Sequence, residues 1–199
     1  MFFKKKKEKD KIKLYCAAEN PGSYSAIFLS SYRQIDIDVE WVDPAEGSEY
    51  SALIGTNTLP SLIDGKFAIC RIFPVLTYLN IIGSKPKIEP RKARILAKEK
   101  YYISLIEKVL WVINIDSEKE KLLFLLDQQL EKYKFIAGDE LTLADIYLFG
   151  FTMISNNDLV KYKNIGVWLK KMFSLVPNQN TESMIDGEFY KLLKERKIA

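Results

Sequence analysis

Residues 12–82 predict an α/β unit and residues 91–175 an all-helical one, joined by a short connection that holds Pro86 and Pro90. Three observations carry this reading. Apolar and polar side chains alternate with a period of two in the first half. An Asp64-Gly65 pair between two apolar runs marks a hairpin there. From Arg91 onward the apolar residues fall at helical spacing instead.

The first half opens with a strand over Ile12 to Cys16. The turn cluster Glu19-Asn20-Pro21-Gly22-Ser23 follows, and Ser23 is the expected N-cap of a helix reaching about Tyr32. In the second strand Ile35, Ile37, Val39 and Trp41 alternate with Asp36, Asp38 and Glu40, which places four apolar side chains on one face. A loop from about Asp43 to Thr58 leads to the hairpin, whose primed turn needs the positive φ that Gly65 supplies. The next helix runs from Phe73 to Ile82, with Pro74 in its first turn, where a missing N–H costs nothing. Strand, helix, strand, then strand, strand, helix is the order of a thioredoxin-like unit. Pro60, entering the third strand, is its candidate cis proline.

In the second half one helix is expected from Arg91 to about Ile115 and another from the capping box Ser117-Glu118-Lys119-Glu120, with Leu122, Leu126, Leu130 and Tyr133 on one stripe. Within Phe135 to Ile146, Thr142 is expected to cap an amide with its hydroxyl, and Asp145 to reach back to the N-cap amide. The helix they open is apolar all round to about Ile154 and so belongs to the core. A last helix surrounds Trp168. Residues 176–199 read as an extension or linker, with a short helix from Gly187 to Arg196.

Composition excludes several function classes. The chain has 199 residues, no histidine, and two cysteines without CxxC spacing, so no metal site is expected and a reducing cytoplasmic setting is. The acids of the second strand read as solvated rather than metal-binding. No apolar run is long enough to span a membrane. The net charge of +4 is uneven: residues 1–13 hold seven lysines against two acids, leaving 23 basic and 24 acidic residues in the rest. Residues 1–11 therefore read as a basic disordered tail, in which Lys4, Lys5, Lys6 and Lys7 are candidate RNA contacts.

From residue 12 to 175 the arrangement resembles the glutathione transferase superfamily. Phe135 to Ile146 resembles its glycine-then-capping-box signature, Leu59-Pro60 its cis proline and Asp64-Gly65 its hairpin. The resemblance implies a glutathione site with an acid followed by serine at the head of the helix after the hairpin. Arg71 and Ile72 stand there, reversing a charge and removing a hydroxyl. Pro60, Arg71 and Ile72 thus read as a degenerate glutathione site without a cofactor. The beginning of the chain resembles the gamma subunit of translation elongation factor 1, and the compact helical half resembles domains appended to aminoacyl-tRNA synthetases, the methionyl enzyme being nearest. The expected function is non-catalytic docking of translation components through Phe73, Leu76, Tyr78 and Trp168. The partner would be another such domain, as a homodimer or in a synthetase or elongation-factor complex, with tRNA touching the tail. The alternative is an active glutathione transferase or glutathione-dependent peroxidase, with glutathione as its cofactor and Tyr15, Cys16 and Ser23 as candidate catalytic residues.

Overall fold

A computed structural model describes residues 11–43, 51, 55–111, 116–154 and 161–176. The elements are β1 (Ile12–Cys16), α1 (Pro21–Tyr32), β2 (Ile37–Trp41), β3 (Ser61–Asp64), β4 (Phe67–Cys70), α2 (Ile72–Ile82), α3 (Ala93–Trp111), α4 (Asp116–Lys132), α5 (Leu143–Ile154) and α6 (Lys163–Ser174). This is a thioredoxin-like sheet followed by helices, which is the glutathione transferase fold. Lys4 to Lys7 and the expected helix over 187–196 lie outside the described residues.

The sheet runs β2-β1-β3-β4. β1 pairs parallel with β2 and antiparallel with β3, so Leu14 faces both Val39 and Leu62 across its two ladders. β3 and β4 form the hairpin, and Gly65 in its turn has φ +60°. One sheet face joins α1, α2 and the helical half in a single core that holds Leu14, Phe28, Leu62, Leu76, Ile106, Phe149 and Trp168. The other face carries a small cluster of Tyr15, Ala17, Leu59 and Ile63.

Several details differ from the sequence reading. β2 begins at Ile37, and as an edge strand it loses burial along its length until Trp41 is 37% exposed. α1 begins at Pro21 with Asn20 as its cap, and the Ser23 hydroxyl instead accepts from Ala17 N at 3.0 Å. α3 begins at Ala93 rather than Arg91, and residues 112–115 of the expected helix lie outside the described residues. α4 starts one residue before Ser117, which therefore lies inside the helix rather than capping it. Leu76 and Trp168 belong to the core, at 0% and 2% exposure, so neither can anchor a partner.

The helical half is fixed by acids that cap its helices, Asp145 and Glu99 buried and Asp127 half-buried. The Asp145 carboxylate accepts from Ile136 N at 3.0 Å, Thr142 N at 3.0 Å, Thr142 Oγ1 at 2.8 Å and Trp168 Nε1 at 3.1 Å. The Thr142 hydroxyl thus donates to Asp145 rather than accepting from a helix amide. Glu99, on α3, accepts from Leu143 N at 3.2 Å and satisfies another orphan donor of α5. Asp127, on α4, does the same for α6, accepting from Asn164 N at 2.8 Å and Ile165 N at 2.9 Å.

The two halves share a tight seam. α1 packs on both α2 and α5. The Ser25 hydroxyl donates to Ile146 O at 2.9 Å, and the Phe28 and Phe149 rings pack at a tilt of 43° with centroids 4.5 Å apart. Gly150 allows the approach, because a Cβ there would collide with Pro21 O and the Ser25 hydroxyl. Among the described residues no helix is long and apolar enough to cross a membrane.

Candidate active site

Three backbone segments converge at the sheet end where α1 and α2 begin. The Leu59–Pro60 bond is cis. Arg71, the N-cap of α2, has φ 74° and ψ 148°, and its N–H donates to Pro60 O at 3.0 Å. Asn20 joins the third segment. Its Oδ1 accepts from Ser23 N at 3.1 Å, capping α1, while its Nδ2 donates to Leu59 O at 3.1 Å. Gly22 fills the gap between them, since a Cβ on it would stand 2.7 Å from Pro60 Cδ and 3.1 Å from Ile72 Cβ.

The cleft above this junction has a volume of about 670 Å³. One wall is the start of α1 with Glu19, Asn20 and Leu59. The second is the head of α2 with Arg71, Ile72 and Phe73. The third comes from the helical half: Glu107 and Val109 of α3, Lys119 of α4, Phe151 and Ile154 of α5. Both α1 and α2 open onto it, so the positive ends of two helix dipoles meet there. At α2 the Ile72 and Phe73 amides precede the first intrahelical bond, which Val75 N makes to Arg71 O. The cleft is thus rich in N–H donors at one end and apolar at the other. That suits a polar, anionic ligand lying beside an apolar one.

The sequence candidates divide on burial. Arg71, Ile72 and Phe73 line the cleft, and Pro60 lies beneath it against Gly22. Tyr15, Cys16 and Ser23 do not line it. β1 is a central strand, so its side chains are buried on both faces, and Tyr15 and Cys16 are each fully enclosed. Burial pushes the Cys16 thiol up to about 12, with the Ser23 hydroxyl hydrogen bond opposing. A thiol so placed stays protonated and is no nucleophile. Ser23 is occupied by Ala17 N. Tyr78 lies on α2, and its hydroxyl donates to Asp64 Oδ2 at 2.6 Å; that bond and burial push its pKa up to about 12. Thr142 and Asp145 lie in the α5 cap.

Glu19, Asn20, Glu107 and Lys119 were not singled out from the sequence as site residues. Asn20 had a signal: asparagine followed by proline and then glycine is an N-cap with Pro at the first helical position. Glu107 and Lys119 carry none, being polar residues of amphipathic helices. In the fold the Tyr147 hydroxyl donates to Glu107 Oε1 at 3.2 Å.

Known proteins share this architecture. Residues 114–175 match the family described as glutathione S-transferase, C-terminal domain. Glutathione S-transferase D7 of Drosophila melanogaster is 24% identical over 215 residues, covering 94% of this chain and 95% of that protein. Among solved structures, a delta-class glutathione transferase of Nilaparvata lugens superposes with a TM-score of 0.72 at 23% identity, over 93% of this chain and 99% of the other. An epsilon-class glutathione S-transferase from the housefly Musca domestica superposes with a TM-score of 0.72 at 19% identity, over 94% and 97%. The fold is that of the glutathione transferases. These proteins overturn the expected role in translation. The curated relative aligned along nearly the whole chain is a glutathione S-transferase, so docking among synthetases or elongation-factor subunits, and the tRNA contact that went with it, are corrected.

Proposed function

We propose that this chain is a glutathione-dependent transferase that joins the thiol of the tripeptide to an apolar electrophile in the cleft between the two halves. The observation that carries the reading is the alignment with a curated glutathione S-transferase across 94% of the chain. The junction of cis Pro60, Asn20 and Arg71 supports it by offering backbone donors to a peptide.

In this reading the tripeptide lies along Leu59 and the heads of α1 and α2. The Leu59 N–H has no acceptor among the described residues and is available to the ligand's backbone. Two helix dipoles and the cations Arg71 and Lys119 favour the thiolate over the thiol. The electrophile rests on Val109, Phe151 and Ile154. Sulfur attacks its electrophilic carbon, a C–S bond forms, the leaving group departs with its electron pair, and the thiol proton passes to solvent. The Arg71-Ile72 pair alters the anchoring of the ligand without closing the cleft. A route through a protein thiol has no support, because Cys16 is enclosed and Cys70 does not line the cleft. A second copy of this chain is the partner we propose, through the exposed apolar residues Phe67 of β4 and Ile81 and Ile82 of α2.

Calorimetric titration with reduced glutathione to millimolar concentration tests the binding, and conjugation of a chlorodinitrobenzene tests the chemistry. Saturable binding with enzyme-dependent thioether formation supports the reading. Absence of both sinks it.

A further inference from the structure

We infer that Arg71 sets the ligand selectivity of the cleft: the group laid at the head of α2 is an anion with no ammonium beside it, so a thiol peptide ending in a bare carboxylate binds more tightly than glutathione. The inference rests on the transferase reading and concerns the same site.

Arg71 is exposed, lines the cleft and caps α2 without a side-chain hydrogen bond. Its root is fixed from both sides. Its N–H is held by Pro60 O, and its carbonyl accepts from Val75 N at 3.1 Å. The guanidinium has no ion-pair partner among the described residues. A cation at this position is electrostatically adverse, because it adds to the positive end of the helix dipole. No acid stands in the first turn of α2 to offset it. Lys119 brings a second cation to the cleft, also without an ion pair among the described residues.

Neither acid of the cleft belongs to α2. Glu19 is on the loop before α1, and Glu107, on α3, already accepts from Tyr147. An ammonium at the head of α2 therefore meets like charge and no carboxylate on that helix. Ile72 brings no hydroxyl, so polar recognition falls to two backbone amides and the guanidinium, all of them donors. Glutathione carries its γ-glutamyl carboxylate and ammonium on one carbon, so attraction of the first is offset by repulsion of the second. Glutaryl-cysteinylglycine, the same molecule without the amino group, keeps only the attraction.

Calorimetric titration of wild-type, Arg71→Gln and Arg71→Glu proteins with both thiols tests this, with thermal melts to show that each variant folds. The wild type is expected to bind glutaryl-cysteinylglycine about fivefold more tightly than glutathione, the size of one partly exposed charge pair. Arg71→Gln should reduce that preference, and Arg71→Glu should reverse it. Glutathione binding the wild type as tightly as its deaminated analogue overturns the inference while leaving the transferase reading intact. So does a preference that survives Arg71→Gln unchanged. If neither thiol binds the wild type, the transferase reading falls and this inference falls with it.

Discussion

The side-chain amide of Asn20 donates to the carbonyl oxygen of Leu59 at 3.1 Å, so the residue that caps α1 also holds the residue before cis Pro60. Asn20→Ala removes both bonds and is expected to cost about 1–2 kcal/mol of stability, together with glutathione affinity. Asn20→Asp separates the two roles. It keeps an acceptor for Ser23 N but turns a donor toward Leu59 O into a second acceptor. Urea unfolding should place the Asp variant nearer the wild type than the Ala variant, while titration shows both with weakened binding. Wild-type affinity in Asn20→Asp would mean that the Leu59 contact does not shape the cleft.

Gly22→Ala sets a methyl 2.7 Å from Pro60 Cδ and 3.0 Å from Asn20 Oδ1. Neither the proline ring nor the capping amide can yield easily, so a loss of about 1–3 kcal/mol is expected. A fall in glutathione affinity should accompany it, because the displaced groups form the cleft floor. The control is Gly166→Ala, where a Cβ meets nothing within 4 Å. Equal melting temperatures for the two variants would contradict this assignment.

Thiol labelling reads the burial of Cys16 directly. Cys16 is enclosed, with its thiol pushed up to about 12, whereas Cys70 is half-buried. Native protein treated with a disulfide reagent at neutral pH should therefore expose at most Cys70, and both thiols only after denaturation. Cys16→Ala should retain conjugating activity. Rapid native labelling of Cys16 would restore it as a catalytic candidate.

Asp145 gives the fold a pH dependence of defined sign. Burial raises its carboxyl from 3.8 to about 6, against the four hydrogen bonds that favour the ionised form. The native state thus holds the proton more tightly than the unfolded chain does, and the contribution to stability declines as pH rises from about 4 to about 6. The change should be on the order of 2–3 kcal/mol. Asp145→Asn keeps an acceptor for Ile136 N and Trp168 Nε1 but does not titrate, so its unfolding free energy should lack this slope. Parallel slopes in the two proteins would show that other groups set the pH dependence.

The fold was legible in the sequence because its signals are local. Alternation in β2, the Asp64-Gly65 turn and the Thr142 to Asp145 cap each follow from the conformational needs of a few neighbouring residues. The site was legible only in part. Arg71 and Ile72 were located by counting along one helix. Tyr15 and Cys16, candidates only under the alternative reading, are enclosed because β1 lies between β2 and β3, which is a property of strand order. Glu107 and Lys119 reach the cleft through the packing of α3 and α4 against the first half. The docking function rested on taking a reversed charge at Arg71 as loss of binding, whereas the relatives aligned along the chain are glutathione transferases.

Gly150 has a consequence for recombining this chain with its relatives. The seam it permits presses the first turn of α1 onto α5, and that same turn builds the cleft floor. A hybrid made by grafting another protein's helical half would place its own residue at that point. Anything larger than glycine would push back the helix that carries Asn20 and Gly22. Halves of this architecture are exchangeable only between chains whose seams share the same depth.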